Sequence, residues 1–413
     1  MSELKLKTKE LIELDKEIFK LNKFYSLAIA SLNRFPNIYA AEEFSKKARL
    51  IRTKLKSIKT QNEFEDIFIE NSLNNLESQE TYLNYFSKGD LNVEEMVKVV
   101  LGENALNILK ENIKNFDYKN FWKFYLSYQE YSYKSIPVDD ENLRGRFKEI
   151  LVNLKKDFLE YAKKEYALPE NYDFEIVLGQ PYSQRTFFHP TNLRMEIAPN
   201  SFFAFKDNNE IKINIALVIQ NIFHEILGHG RQEVLSRDMP LSMQDNSINT
   251  SISSLHLHSE GISQLAEKDS IKFMRKFQKK YEIEEDYIQQ RILGDLSIST
   301  HNFQAYYKYL GLKKIENNSF DKDKEFKKIA GNYGLSILYS SNIFSSLDFV
   351  GDAVYPLGLF YIKKYLEDLK EKIGEKKFNK YHVEINNAIV TGVFNFKTLP
   401  KWIELYLREK GVK

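Results

Sequence analysis

The chain is 413 residues long, and its 60 Lys and Arg against 58 Asp and Glu leave a formal net charge of +2, too small for a general polyanion-binding field. It has no cysteine, which excludes disulfides, thiolate nucleophiles, iron–sulfur clusters and every Cys-containing zinc site. Sixteen Gly and nine Pro are about half the usual share, so long helices around a large core are expected.

In chain order, the N-terminus MSELKLKTKELIELDKEIFK alternates charges and lacks the apolar run of a signal peptide. It reads as an amphipathic helix. Leu11, Leu14, Ile18 and Leu21, and later Phe147, Ile150, Leu151, Leu154 and Phe158, recur at helical spacing. Residues 1–168 are therefore expected to form an N-terminal helical lobe, with a catalytic lobe over 169–413. At 172–215 the pattern changes to short period-two runs separated by turn residues, which predicts three or four antiparallel strands. Helices resume at 216–310 and again at 325–413. The expected class is mainly α with a small antiparallel sheet before the helix that carries the most unusual motif. The most apolar stretch, 329–362, is interrupted by Asn332, Asn342, Asp348, Asp352 and Pro356, so no segment reaches the roughly 18 apolar residues of a span. A cytoplasmic protein with neither a membrane nor a nucleic-acid partner is expected.

Six of the seven histidines fall between His189 and His301. The densest point is Phe223-His224-Glu225-Ile226-Leu227-Gly228-His229-Gly230. Zinc hydrolases need two neutral imidazoles aimed at one point and a carboxylate beside them to take a proton from water. The common spacing is four, which leaves two side chains about 40° apart around an α-helix. Here the spacing is five, about 140° round an ideal α-helix. Convergence would need one extra residue looped out as a π-bulge, and Gly228 is a suitable place for it. Without Cys, a third ligand must be Asp, Glu or His. His256, Glu260, Ser263 and Glu267 form one polar stripe at helical spacing beginning shortly after His229. The stripe offers His224, His229 and Glu260 as ligands for Zn²⁺, with Glu267 and His256 behind them and Glu225 as general base. Read without a metal, the same residues are two histidines on a partly buried helix and a solvent-facing edge. His189, before Pro190, reads as a turn residue.

Glu-Gly-Ile-Ser-Gln-Leu-Ala-Glu at 260–267 resembles the EGWALYAE element of a large bacterial family of predicted helical zinc peptidases whose first motif is HExxPGHH. Arg291-Ile292-Leu293-Gly294-Asp295 followed by His301 is similar to that family's Arg-x-x-x-Asp-x-Gly-x-His helix. Tyr355-Pro356-Leu357-Gly358-Leu359-Phe360-Tyr361 is similar to its Pro-Gly-Gln-Ala-Leu-Ala-Tyr segment. The resemblance spans about residues 170–405. This chain departs from it by lacking the Pro of the first motif, by one residue fewer there, and by small register shifts at His301 and Tyr361. The Taq-type thermostable carboxypeptidases are a looser likeness, with a similar Glu-to-Glu spacing in their second motif. Dipeptidyl peptidase III shares the HExxGH form, but its Glu-Glu-x-x-Ala-Glu partner is missing.

The resemblance implies a two-lobed helical, gluzincin-like metallopeptidase that hydrolyses short peptides, carboxypeptidase- or dipeptidase-like. It implies His301, Tyr355 and Tyr361 as candidate catalytic residues that stabilise the oxyanion. If the substrate carries a free C-terminus, Arg291, then Arg185, is the candidate for clamping its carboxylate. An edge strand near 202–205 could receive an extended peptide. Two alternatives stay open: a metal-dependent hydrolase of another amide, and a helical binding or scaffold protein without catalysis.

Overall fold

The computed structural model describes residues 4–31, 38–88, 92–117, 141–166, 168–180, 186–189, 192–198, 203–206, 210–244, 253–285, 288–289, 296–340 and 349–412. These are mainly helical. The N-terminal helices are α1 (Lys9–Ser31), α2 (Ile38–Ser57), α3 (Glu63–Lys88), α4 (Val93–Leu101), α5 (Ala105–Lys114) and α6 (Glu141–Tyr166). Their burial follows the apolar spacing: Leu11, Leu14, Ile18 and Leu21 lie in the core, as do Phe147, Leu151, Leu154 and Phe158. Among the described residues, no helix is long and apolar enough to cross a membrane.

The strand region differs from expectation. Strands β1 (Glu175–Leu178), β2 (Phe187–His189) and β3 (Arg194–Ile197) make one sheet in the order β1-β3-β2, and β4 (Phe203–Lys206) pairs with β5 (Glu210–Ile213) as a separate hairpin. The expected all-antiparallel sheet is corrected here. β3 runs antiparallel to β2 but parallel to β1, with Glu175 opposite Arg194 and Leu178 opposite Ile197. Burial explains the order. Met195 and Ile197 are both fully buried, so β3 takes the centre, while β2 lies at an edge with its alternate residues exposed. Period-two patterning predicts that strands exist and which face is buried, but not which neighbour each one takes.

After the strands come α7 (Ile215–Ile222), a π-helix over Phe223–Gly230, α8 (Arg231–Ser236), α9 (Ser254–Phe277), α10 (Leu296–Glu316), α11 (Lys322–Ser340), α12 (Phe349–Ile373), α13 (Glu375–Lys380), α14 (His382–Val390) and α15 (Leu399–Glu409). Contacts group the chain into two units that interleave along the sequence. One comprises residues 1–116, 232–262 and 297–413, the other 117–231 and 263–296.

The first unit is a helical body. Its core includes Tyr25, Phe44, Phe64 and Trp402. Trp402 stacks on Phe394, and its indole N–H donates to the Ala388 carbonyl at 2.8 Å. Asn71 closes α3 onto the C-terminal segment: its amide donates to the Val393 carbonyl, and its Oδ1 accepts from the Asn395 backbone and the Thr398 hydroxyl. The second unit holds the β1-β3-β2 sheet and an aromatic cluster. Phe223 packs edge-on against Phe158 at 5.2 Å between ring centroids, and Phe273 lies 5.7 Å from Phe223 and 5.3 Å from Tyr161. Phe223 opens the π-helix and Phe273 sits on α9, so this cluster fixes the two helices that carry the candidate site against α6.

Candidate metal centre

The His-Glu segment folds as the spacing requires. In a π-helix the backbone bonds run from residue i to i+5 instead of i+4, so residues five apart come to lie one above the other. Phe223–Gly230 is such a helix, flanked by α-helical residues on both sides. His224 and His229 thereby stand on one face, their rings 5.1 Å apart and inclined by 75°.

Glycine makes the turn compatible with its neighbour. A Cβ on Gly228 would lie 2.4 Å from the Ser263 hydroxyl and 2.7 Å from the Ser263 Cα, so α9 approaches the π-helix closely enough to exclude any side chain at 228. Next to Glu260 in sequence, a Cβ on Gly261 would lie 2.5 Å from the Gly358 carbonyl oxygen, and one on Gly358 2.2 Å from the Leu257 carbonyl oxygen. Within the first unit, α9 and α12 thus meet backbone to backbone at the Gly of the Tyr-Pro-Leu-Gly segment.

His224, His229 and Glu260 each offer a ligand atom, and the three atoms lie within 4.8 Å of one another. Donors bound at about 2.0–2.2 Å to a tetrahedral zinc ion stand roughly 3.4 Å apart, a spread of the same order. Glu260 is buried and both histidines are half-buried.

Beside this group, Glu267 Oε1 lies 2.6 Å from His224 Nδ1. A carboxylate only accepts, so Nδ1 carries the proton and Nε2 keeps the lone pair for a metal. Glu267 is held in turn: the Gln264 amide donates to Oε1 at 2.7 Å, and the Gln220 amide donates to Oε2. His256 Nε2 lies 3.2 Å from Glu260 Oε1, one turn away on α9. Of the stripe, Glu267 thus lies against His224 and His256 against Glu260. Gln220 and Gln264 were not singled out in advance. Gln264 could have been, since it precedes Glu267 by three residues on one helix; Gln220, which reaches Glu267 across 47 residues, has no helical spacing to reveal it.

The further candidates His301, Tyr355 and Tyr361 belong to the first unit. His301 on α10 stacks on Tyr355 of α12 at 4.5 Å and 20°, with its Nδ1 3.6 Å from Asp352. Asp352 pairs with Lys308 at 2.5 Å. Tyr361 is committed to the scaffold: its hydroxyl donates to the Leu101 carbonyl at 3.1 Å at the end of α4, and burial pushes its pKa up to about 12. Arg291 and Arg185 lie outside the described residues, as do Phe202 and Pro190. His189 ends the edge strand β2 and is exposed. His258 belongs to the core: it is fully buried, its Nδ1 accepts from the Phe394 backbone at 3.2 Å, and burial, partly opposed by the backbone of Ile389, pushes its pKa down to about 3.

Compared with family models, curated proteins and solved structures, the chain matches none.

Proposed function

We propose that this chain is a zinc-dependent peptidase of short peptides, carboxypeptidase- or dipeptidase-like, with the two-lobed helical fold its motifs imply. The observation that supports this most is the His224–His229–Glu260 group, three donors within 4.8 Å, with the two histidines on a π turn that lets residues five apart converge. The donor set fits the metal. Two imidazoles and one carboxylate, in a chain without Cys, are a catalytic zinc set that leaves a coordination position for water or substrate.

When bound, zinc supplies Lewis acidity toward the scissile carbonyl and lowers the pKa of water. The protein's own groups do the rest. Glu267 holds the Nδ1 proton of His224 and so fixes the tautomer that presents Nε2. Glu225, next to His224 on the π-helix, takes the proton of the attacking water and passes it to the leaving amine. His301 and Tyr355, stacked on each other, are the proposed donors to the developing oxyanion. Tyr361 is not, because its proton is engaged by Leu101. Arg291 and Arg185 remain the proposed clamps for a substrate carboxylate.

The test is a mixed peptide pool read by mass spectrometry. The wild type should produce defined cleavage ends, and their pattern distinguishes carboxypeptidase from dipeptidase action. Glu225→Gln should keep zinc and lose about 10²–10⁴ in rate. Unchanged cleavage by Glu225→Gln would refute the base assignment, and an uncut pool the peptidase reading.

A further inference from the structure

A π-helix is less stable than an α-helix of the same residues and usually appears as a single turn. Here it extends over eight residues, so something outside the helix must favour it. The Ile226 carbonyl lies between the two histidines in sequence. It accepts the Arg231 backbone N–H in the π register, while that N–H also reaches the Gly228 carbonyl. The same Ile226 oxygen accepts a second hydrogen bond, from the Tyr172 hydroxyl at 2.6 Å. Tyr172 is buried, and its own N–H is tied to the Pro169 carbonyl at 2.8 Å in the turn that leads into β1. The hydroxyl has room because residue 230 has no side chain: a Cβ on Gly230 would lie 3.1 Å from the Tyr172 oxygen and 3.3 Å from Phe188.

We propose that Tyr172 is a positioning residue for the metal site, holding the Ile226 carbonyl so that the π register, and with it the convergence of His224 and His229, is kept. A buried hydroxyl has to find an acceptor, and this one finds the carbonyl at the middle of the five-residue span. In the α register the Ile226 oxygen would face the N–H of Gly230 instead, and the Tyr172 bond would no longer reinforce the i→i+5 bond that brings the two rings together. Gly230 is the complementary half of the device, since any larger residue there displaces the hydroxyl. The metal arm of this inference rests on the zinc reading above; its backbone arm does not.

Tyr172→Phe removes the donor and keeps the ring. Hydrogen exchange is followed at Gly230 and Arg231 in chelator-treated, metal-free protein, and zinc affinity is followed by competition with a chromophoric chelator. Exchange should speed up at least tenfold at these amides while unfolding stays cooperative, and zinc affinity should fall about 10–100-fold, the usual cost of losing a group that orients a ligand. Gly230→Ala, which keeps the hydroxyl but crowds it, should give the same pattern. Unchanged exchange in metal-free Tyr172→Phe overturns the proposal. If the wild type binds no zinc, the peptidase reading fails, and the exchange comparison still decides the role of Tyr172.

Discussion

Glu267 illustrates how one residue can govern the chemistry of another. Its carboxylate receives His224 Nδ1 and the Gln264 and Gln220 amides, so three side chains agree on where the imidazole proton sits. Replacing it with Ala frees the ring to rotate and to change tautomer. Glu267→Ala should therefore lower zinc affinity about 10–100-fold, measured by chelator competition. Glu267→Gln should fall between Ala and wild type, because an amide oxygen still accepts from Nδ1 but carries no charge. An affinity unchanged in both variants would show that the pair does not set the tautomer. At this scale the sequence was informative wherever helical spacing makes the link, as for Glu260, Glu267 and His256. It was silent on Tyr172, whose bond to Ile226 crosses 54 residues with no periodicity to reveal it.

Among the elements, the π-helix was legible because six residues from His224 to His229 leave no α-helical way for both rings to meet. What the spacing did not show was why Gly228 is glycine. The extra residue needs no glycine for its own backbone; the closeness of Ser263 does. Gly228→Ala should destabilise the fold by about 1–3 kcal/mol, as overpacking does, and weaken zinc binding at the same time. Gly358→Ala meets backbone rather than a movable side chain, with Leu257 O at 2.2 Å, so its loss in denaturant unfolding should exceed that of Gly228→Ala. Equal or smaller loss would mean that the α9–α12 contact yields more readily than its geometry indicates. The sheet was only half legible. Alternation located the strands, but the parallel β1–β3 pairing depends on which strand buries both its apolar residues, a tertiary property.

At the scale of the whole molecule, the helices read well because their apolar spacing and their burial coincide. The contact grouping did not, because it interleaves segments distant in sequence. One buried carboxylate gives the pH dependence a definite sign. Glu65 on α3 is fully buried and accepts from the backbone N–H groups of Lys7, Thr8 and Gln61 and from the Thr8 hydroxyl. Burial alone would raise its pKa, but these hydrogen bonds outweigh it and hold the carboxyl below its ordinary 4.5. Its stabilising contribution is therefore present above about pH 4.5 and is lost as the pH falls through the lower, folded-state value. Glu65→Gln should cost more stability at pH 7 than at pH 3 in urea unfolding, and a pH-independent cost would contradict this.

The central claim is that His224, His229 and Glu260 hold a metal. Elemental analysis of the purified chain, beside His224→Ala prepared identically, tests it most directly. The account predicts close to one zinc per wild-type chain and almost none in the variant, with both unfolding cooperatively. A wild type that stays free of metal after zinc loading, and is as stable as before, would contradict it.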